Sequence, residues 1–127
     1  MPLIVLDSSA VLAALKKEPG GSAVTPLFQS AAIGAVNVAE IHARLLSYGI
    51  LPATSWGMIQ RTGCEICPFT DDQARIAAEL IAVTKPYGLS LGDRACLALA
   101  IERQAKVYTA DSAWKGLALG IDIQVIC

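Results

Sequence analysis

Apolar runs of two different periods alternate along this chain. Residues 3–6 are an uninterrupted apolar stretch and predict a strand; residues 8–17 then carry apolar positions at helical spacing until "EPGG" stops them. A second, Pro-containing helical stretch precedes a short strand near 33–36. Asn37 is placed to cap a helix that runs to Tyr48 and is ended by Gly49. Residues 52–61 read as a helix and "CEICPF" as a third strand. Thr70 and Gln73 have capping-box spacing and predict one long helix ending near Lys85, before Pro86 and Gly88. Ser90 opens the next helix, whose apolar residues over 91–101 surround it almost completely, as in a buried helix. Strands at "KVYTA" and "IDIQVIC" follow, with a helical turn around Trp114 between them.

Strands alternating with helices in this way predict right-handed crossovers and a mostly parallel sheet covered on both faces. With 127 residues and no repeat, linker or low-complexity tract, the expectation is one domain over 1–127 with one core. In open sheets of this type the ligand crevice lies beyond the carboxyl ends of the strands.

Four carboxylates fall where such a crevice would collect them. Asp7 and Asp111 directly follow predicted strands, and Glu40 and Asp93 lie in predicted first turns of helices. Each has a structural alternative. Asp7 could cap the first helix; Glu40 and Asp93 sit three residues after Asn37 and Ser90, where a capping-box acid belongs. Glu40 could also form a solvated pair with Arg44, four residues on. Asp111 has the weakest alternative, because Thr109 and Ser112 flank it with hydroxyls able to orient it. Glu65, Asp71, Asp72, Glu79, Glu102 and Asp122 read as solvated or dipole-favoured, and His42 as a packed or half-exposed residue. No second histidine or serine motif supports a nucleophilic triad.

Composition narrows the chemistry. The chain is 54% hydrophobic and 17% charged, far from a disordered composition. Its mean hydropathy of +0.53 implies apolar surface covered by a partner, with Leu46, Tyr48, Ile50, Leu51, Trp56 and Met58 as candidates. A net charge of -1 brings no basic stripe. The apolar windows are too interrupted to span a bilayer, and Asp7 interrupts what would be a leader's apolar part, so a cytoplasmic protein is expected. Cys64, Cys67, Cys96 and Cys127 are expected as reduced, buried thiols. "CEIC" has zinc or redox spacing, but no second ligand pair accompanies it.

Like charges a few ångströms apart resist joint ionisation, so four converging carboxylates call for a cation. All-oxygen ligation suits Mg²⁺ or Mn²⁺, and such sites commonly serve phosphate chemistry. Phosphodiester hydrolysis is the reaction class this suggests.

In order and spacing, "VLDSSAVLA", "VNVAEIHARL", "LSLGDRACLALA" and "VYTADSAW" resemble the PIN domain, specifically the VapC type of toxin ribonuclease, over essentially the whole chain. The resemblance implies a three-layer α/β/α sandwich and a metal-dependent endoribonuclease. It also implies a VapB-like antitoxin that blocks the site, and a toxin homodimer. Asp7, Glu40, Asp93 and Asp111 match the family's acidic quartet for catalysis and Mg²⁺ or Mn²⁺, and Ser9 and Thr109 match its supporting hydroxyls. Lys16, Arg44, Arg94 and Lys115 are candidate RNA contacts. Relatives often carry another acid where this chain has Ala113, so one ion, or a second recruited only with substrate, is the expectation. Nothing in the chain reads out which RNA is cut.

Two other readings compete. A phosphorelay receiver needs an acidic pair after the first strand and an aspartate after the third; here the first strand offers one acid and "CPF" follows the third. A catalytically silent binding module of the same fold is not separated from a nuclease by sequence.

Overall fold

The computed structural model describes residues 3–126. Five strands form one sheet: β1 (Ile4–Leu6), β2 (Ala31–Gly34), β3 (Glu65–Cys67), β4 (Lys106–Thr109) and β5 (Ile123–Val125). Their order across the sheet is β3-β2-β1-β4-β5, and every neighbouring pair is parallel. The helices are α1 (Ser8–Leu15), α2 (Ala35–Ser47), α3 (Pro52–Arg61), α4 (Asp71–Glu79), α5 (Ile81–Thr84) and α6 (Leu91–Arg103), with short 3-10 turns between some of them.

Side chains alternate across the strands and divide the core in two. Val5, Ala32, Cys67 and Val107 point to one face, where they meet Leu97, Leu99 and Ala100 of α6 and Trp114. Leu6, Ala31 and Ile33 point to the other and meet Val11 of α1, Ile41 and Leu45 of α2 and Ile59 of α3. A sheet covered on both faces explains why its strands read as unbroken apolar runs. The architecture is therefore the expected three-layer α/β/α sandwich, with a sheet that is wholly parallel over the described strands.

Helix ends show where local signals held and where they were overridden. Ser90 and Asp93 form a complete capping box at α6, and the helix closes with Gln104 in the left-handed region at φ 51°. At α4, Thr70 accepts from the Gln73 N–H, but the Gln73 side chain donates instead to Glu102 on α6 at 2.9 Å. That helix does not run on to Lys85; it stops at Glu79 and restarts as α5 after Leu80. Asn37 does not cap α2. Gly34 holds the cap position, and Asn37 is a fully buried residue inside the first turn.

Cys67 and Cys64 lie in opposite core layers, so "CEIC" is not a joined pair. Burial raises both thiols, Cys67 to about 11. Cys64, Cys67 and Cys96 are free, and Cys127 lies outside the described residues. Four acids read as solvated have partners: Glu65 takes a two-pronged contact from Arg103, the shorter prong 2.8 Å, Glu102 takes the Gln73 amide, Glu79 pairs with Arg75 at 3.4 Å, and Asp122 takes the Gln124 amide at 2.7 Å. Among the proposed partner-facing residues, Leu46, Tyr48, Leu51 and Trp56 are exposed, Leu51 at 72%, while Ile50 and Met58 are half-buried against the core. No helix among the described residues is long and apolar enough to cross a membrane.

Leu99 on α6 is 1% exposed and packs under β1 and β2. Leu99→Ala should cost about 3 kcal/mol, seen as a lower denaturation midpoint at unchanged slope. A loss below about 1 kcal/mol would mean that this layer is not close-packed.

Candidate active site

The strand order reverses between β1 and β4: the chain runs outward through β2 and β3, then crosses to the other side of β1. Beyond the carboxyl ends of those two strands the following segments diverge and leave a crevice. Asp7 ends β1 there, and Thr109 ends β4.

Asp7 is 2% exposed and sits at the cap position of α1, yet its side chain makes no capping bond. Its Oδ2 instead accepts from Ser9 Oγ at 2.6 Å and Thr109 Oγ1 at 3.0 Å. Each hydroxyl in turn accepts a backbone N–H from the segment after β4: Ala110 donates to Ser9 at 3.0 Å and Asp111 to Thr109 at 3.1 Å. With both hydroxyl protons directed at Oδ2, these chains polarise one another. The other oxygen, Oδ1, is buried without a partner. Burial pushes the Asp7 carboxyl up to about 6, with Asp93 and Glu40 adding repulsion and the two hydroxyls opposing it.

Glu40 reaches Asp7's neighbourhood from α2. Its Oε1 accepts from Ser8 Oγ at 2.9 Å and from Asn37 Nδ2 at 3.0 Å. Asn37 spends its second amide proton on the Gly92 carbonyl of α6, at 3.1 Å. Two acceptors fix the orientation of that amide. A side chain at Gly92 would overlap the Glu40 carboxylate, so the glycine is the seat of that group. Neither the capping reading nor the Glu40–Arg44 pair is formed; Arg44 makes no ion pair among the described residues.

Asp93 does act as a cap, its Oδ2 accepting from the Ser90 N–H at 2.8 Å. Asp111 caps the 3-10 turn Ser112–Trp114, its Oδ1 accepting from Ala113 N–H at 2.9 Å. The four carboxylates thus share one property. Each has one oxygen anchored by the protein and the other free of hydrogen bonds from the described residues: Oδ1 of Asp7, Oε2 of Glu40, Oδ1 of Asp93 and Oδ2 of Asp111.

Asp7, Asp93 and Glu40 are electrostatically one group: in that order they raise the thiol of fully buried Cys96 beneath them, after burial itself. Asp111 is linked to the group through the Thr109 hydroxyl, not through its carboxylate, which faces its own turn. No three His, Cys, Asp or Glu side chains among the described residues form a closed metal-holding group. The available donors nevertheless fit a hard cation. They are carboxylate oxygens, one of them buried and unpartnered, and the thiol nearby is held protonated.

Sequence reading missed Ser8, Asn37 and Gly92. The motif "VNVAE" places an amide three residues before the glutamate, which was a usable signal for Asn37; only the packing of α6 on α2 distinguishes Gly92. Of the candidate RNA contacts, Arg94 is committed elsewhere: its Nη1 donates to the Ala77 carbonyl at 2.9 Å. Lys16, Arg44 and Lys115 are exposed. His42 is packed, its Nδ1 2.7 Å from Ser55 Oγ and its ring edge-on to Trp56.

The fold has close counterparts. DNA-bound VapBC from Salmonella typhimurium aligns with a TM-score of 0.75 at 15% identity, covering 100% of both chains. VapBC2 from Rickettsia felis, bound to a DNA fragment from its promoter, aligns at 0.74 and 16% identity over 95% of this chain and 96% of that one. VapBC-5 from Mycobacterium tuberculosis aligns at 0.66 and 24% identity over 98% and 100%. No curated protein sequence matches significantly. The sequence pattern of the PIN domain matches residues 4–119, a span that holds all four carboxylates and both supporting hydroxyls, and the chain belongs to the PIN domain family.

Proposed function

We propose that this chain is a VapC-type toxin ribonuclease, a Mg²⁺- or Mn²⁺-dependent endoribonuclease neutralised by a VapB-like antitoxin. The observation that carries the reading is the divided use of each carboxylate, anchored through one oxygen and open at the other, around a buried, unpartnered Asp7 Oδ1. Asp7, Glu40 and Asp93 would hold the cation, with Asp111 at the margin of the crevice. When bound, the cation makes water a stronger acid and offsets charge on the phosphate. Ser9 and Thr109 keep the Asp7 carboxylate oriented, and Ser8 and Asn37 do the same for Glu40. Magnesium sites commonly use one or two carboxylates and keep several waters, which suits the open spacing of these groups. The solved relatives named VapBC and the exposed Leu46, Tyr48, Leu51 and Trp56 support an antitoxin and a second copy as partners. That same open spacing favours a catalytically silent binding module as the alternative.

Digestion of total RNA with Mg²⁺ or Mn²⁺, against EDTA, separates the two. Asp7→Asn and Asp93→Asn should each lower cleavage by about 100-fold or more while the fold persists. Full activity in both variants would remove the site assignment.

A second expectation concerns pH in metal-free protein. Unfolded Asp7 titrates near 3.8 and folded Asp7 near 6, so the native state binds the extra proton between them. Stability from this group is present below about 3.8 and is lost as pH rises through about 6. Asp7→Asn removes the loss and should exceed wild type above that window by on the order of 3 kcal/mol. Magnesium at a hundredfold excess over its Kd should return about 2.7 kcal/mol to wild type and little to the variant. Melts in EDTA and Mg²⁺ that show no difference between the two proteins would contradict it.

Gly92→Ala should displace the Glu40 carboxylate and weaken Mn²⁺ binding about 10-fold by calorimetry. An unchanged affinity would show that Glu40 does not contribute to the cation site.

A further inference from the structure

Helices α1 and α2 run side by side in the same direction, and two hydrogen bonds join them like rungs. Ser8 Oγ donates to Glu40 Oε1 at 2.9 Å, and Lys16 Nζ donates to Tyr48 Oη at 2.9 Å. Both rungs join residues 32 apart, so the second lies eight residues, or about 12 Å, along the helices from the first. Glu40, Arg44 and Tyr48 follow one another at a spacing of four and form one exposed stripe; Ser8, Leu12 and Lys16 form the matching stripe on α1. The strip begins at the carboxylates and ends in cations.

Those cations are poorly neutralised. Arg44 makes no ion pair among the described residues. Lys16 has one, with Glu18 at 3.3 Å, between two partly exposed side chains, a pairing worth little in water. Lys16 Nζ also lies 4.5 Å from the centre of the Tyr48 ring. Lys16 first and Arg44 after it pull the phenol of Tyr48 below its ordinary value. Two cations converge there on a neutral oxygen, a place suited to an anion. Arg94 is not part of the strip, being tied to α4.

We infer that this strip is the substrate track of the site: a single-stranded RNA leaves the carboxylates along the α1/α2 surface and seats a phosphate between Arg44, Lys16 and the Tyr48 hydroxyl. The inference rests on the ribonuclease reading above and names where its substrate lies. Charge complementarity calls for an anionic chain, and continuity with the carboxylates, where the proposed reaction takes place, selects RNA over an acidic peptide as the occupant. The bound phosphate displaces the weak Glu18 contact and gives Arg44 a counter-charge.

The test uses Asp7→Asn protein, which binds without cutting, and a fluorescent single-stranded RNA of about 12 nucleotides, read by anisotropy in Mg²⁺ across a salt series. Adding Lys16→Ala and Arg44→Ala together should weaken binding about 10-fold and reduce the slope of log K against log salt by about 1.4, two cations at about 0.7 each on a single strand. Arg75→Ala, which removes an exposed cation on α4, should change neither. Unchanged affinity and slope in the double variant overturn the track, as does an equal effect from Arg75→Ala. A double variant that keeps RNA binding but loses binding to an acidic peptide overturns it in favour of a protein partner. If wild type cuts RNA while the double variant binds as its parent does, the track falls and the ribonuclease reading stands. If wild type cuts no RNA and the parent binds none, both fall.

Discussion

A carboxylate buried at the end of the central strand is the constraint around which this molecule is arranged. An ionised acid with 2% exposure is costly, and one of its oxygens has no partner among the described residues. What makes the arrangement tolerable is a converging pair of relays, in which backbone N–H groups after β4 support two hydroxyls that both serve Asp7 Oδ2. Those relays require β4 to lie directly beside β1, as the parallel register Leu6↔Tyr108 ensures. The order of the sheet and the chemistry of its crevice are the same fact seen at two scales.

Around that residue the remaining acids are fixed by helices whose own stability does not depend on them equally. Asp93 serves its helix as a cap through Oδ2, which leaves Oδ1 for the role proposed above. Glu40 has no such local duty. It is carried one turn into α2 and held by Ser8 from α1 and Asn37 from its own helix, while Asn37 also grips α6 through Gly92. The space for its carboxylate exists because Gly92 has no side chain. Three helices therefore meet at one carboxylate, and a shift in any of them is felt there.

Beneath the acids lies fully buried Cys96, whose thiol is kept protonated by burial and by the three charges above it. The protein cannot lower the cost of its acidic group from below by solvation. Relief comes from protonation, as at Asp7, or from a cation entering from the open side. A hard divalent ion with oxygen-only ligation, as proposed above, would supply that relief.

Much of this was written in the chain. The apolar runs, their lengths and the Gly and Pro punctuation determine alternating strands and helices, because burial on both faces of a parallel sheet leaves no other pattern; the strand-ending Asp7 and the Ser90–Asp93 box are legible for the same local reason. What local pattern could not decide is where long-range contacts compete with it. Gln73 has box spacing but bonds to Glu102 across to α6, and Asn37 looks like a cap but is drawn into the core between Glu40 and Gly92. Asp111 reads in sequence as the acid with the weakest structural alternative, yet its own turn claims one oxygen of its carboxylate. The roles of Ser8 and Gly92, and the matching of α1 to α2 that sets Lys16 against Tyr48, depend on distances between residues far apart in the chain. Local spacing specifies which atoms can bond within a turn; only the packed layers decide which of those bonds are outbid.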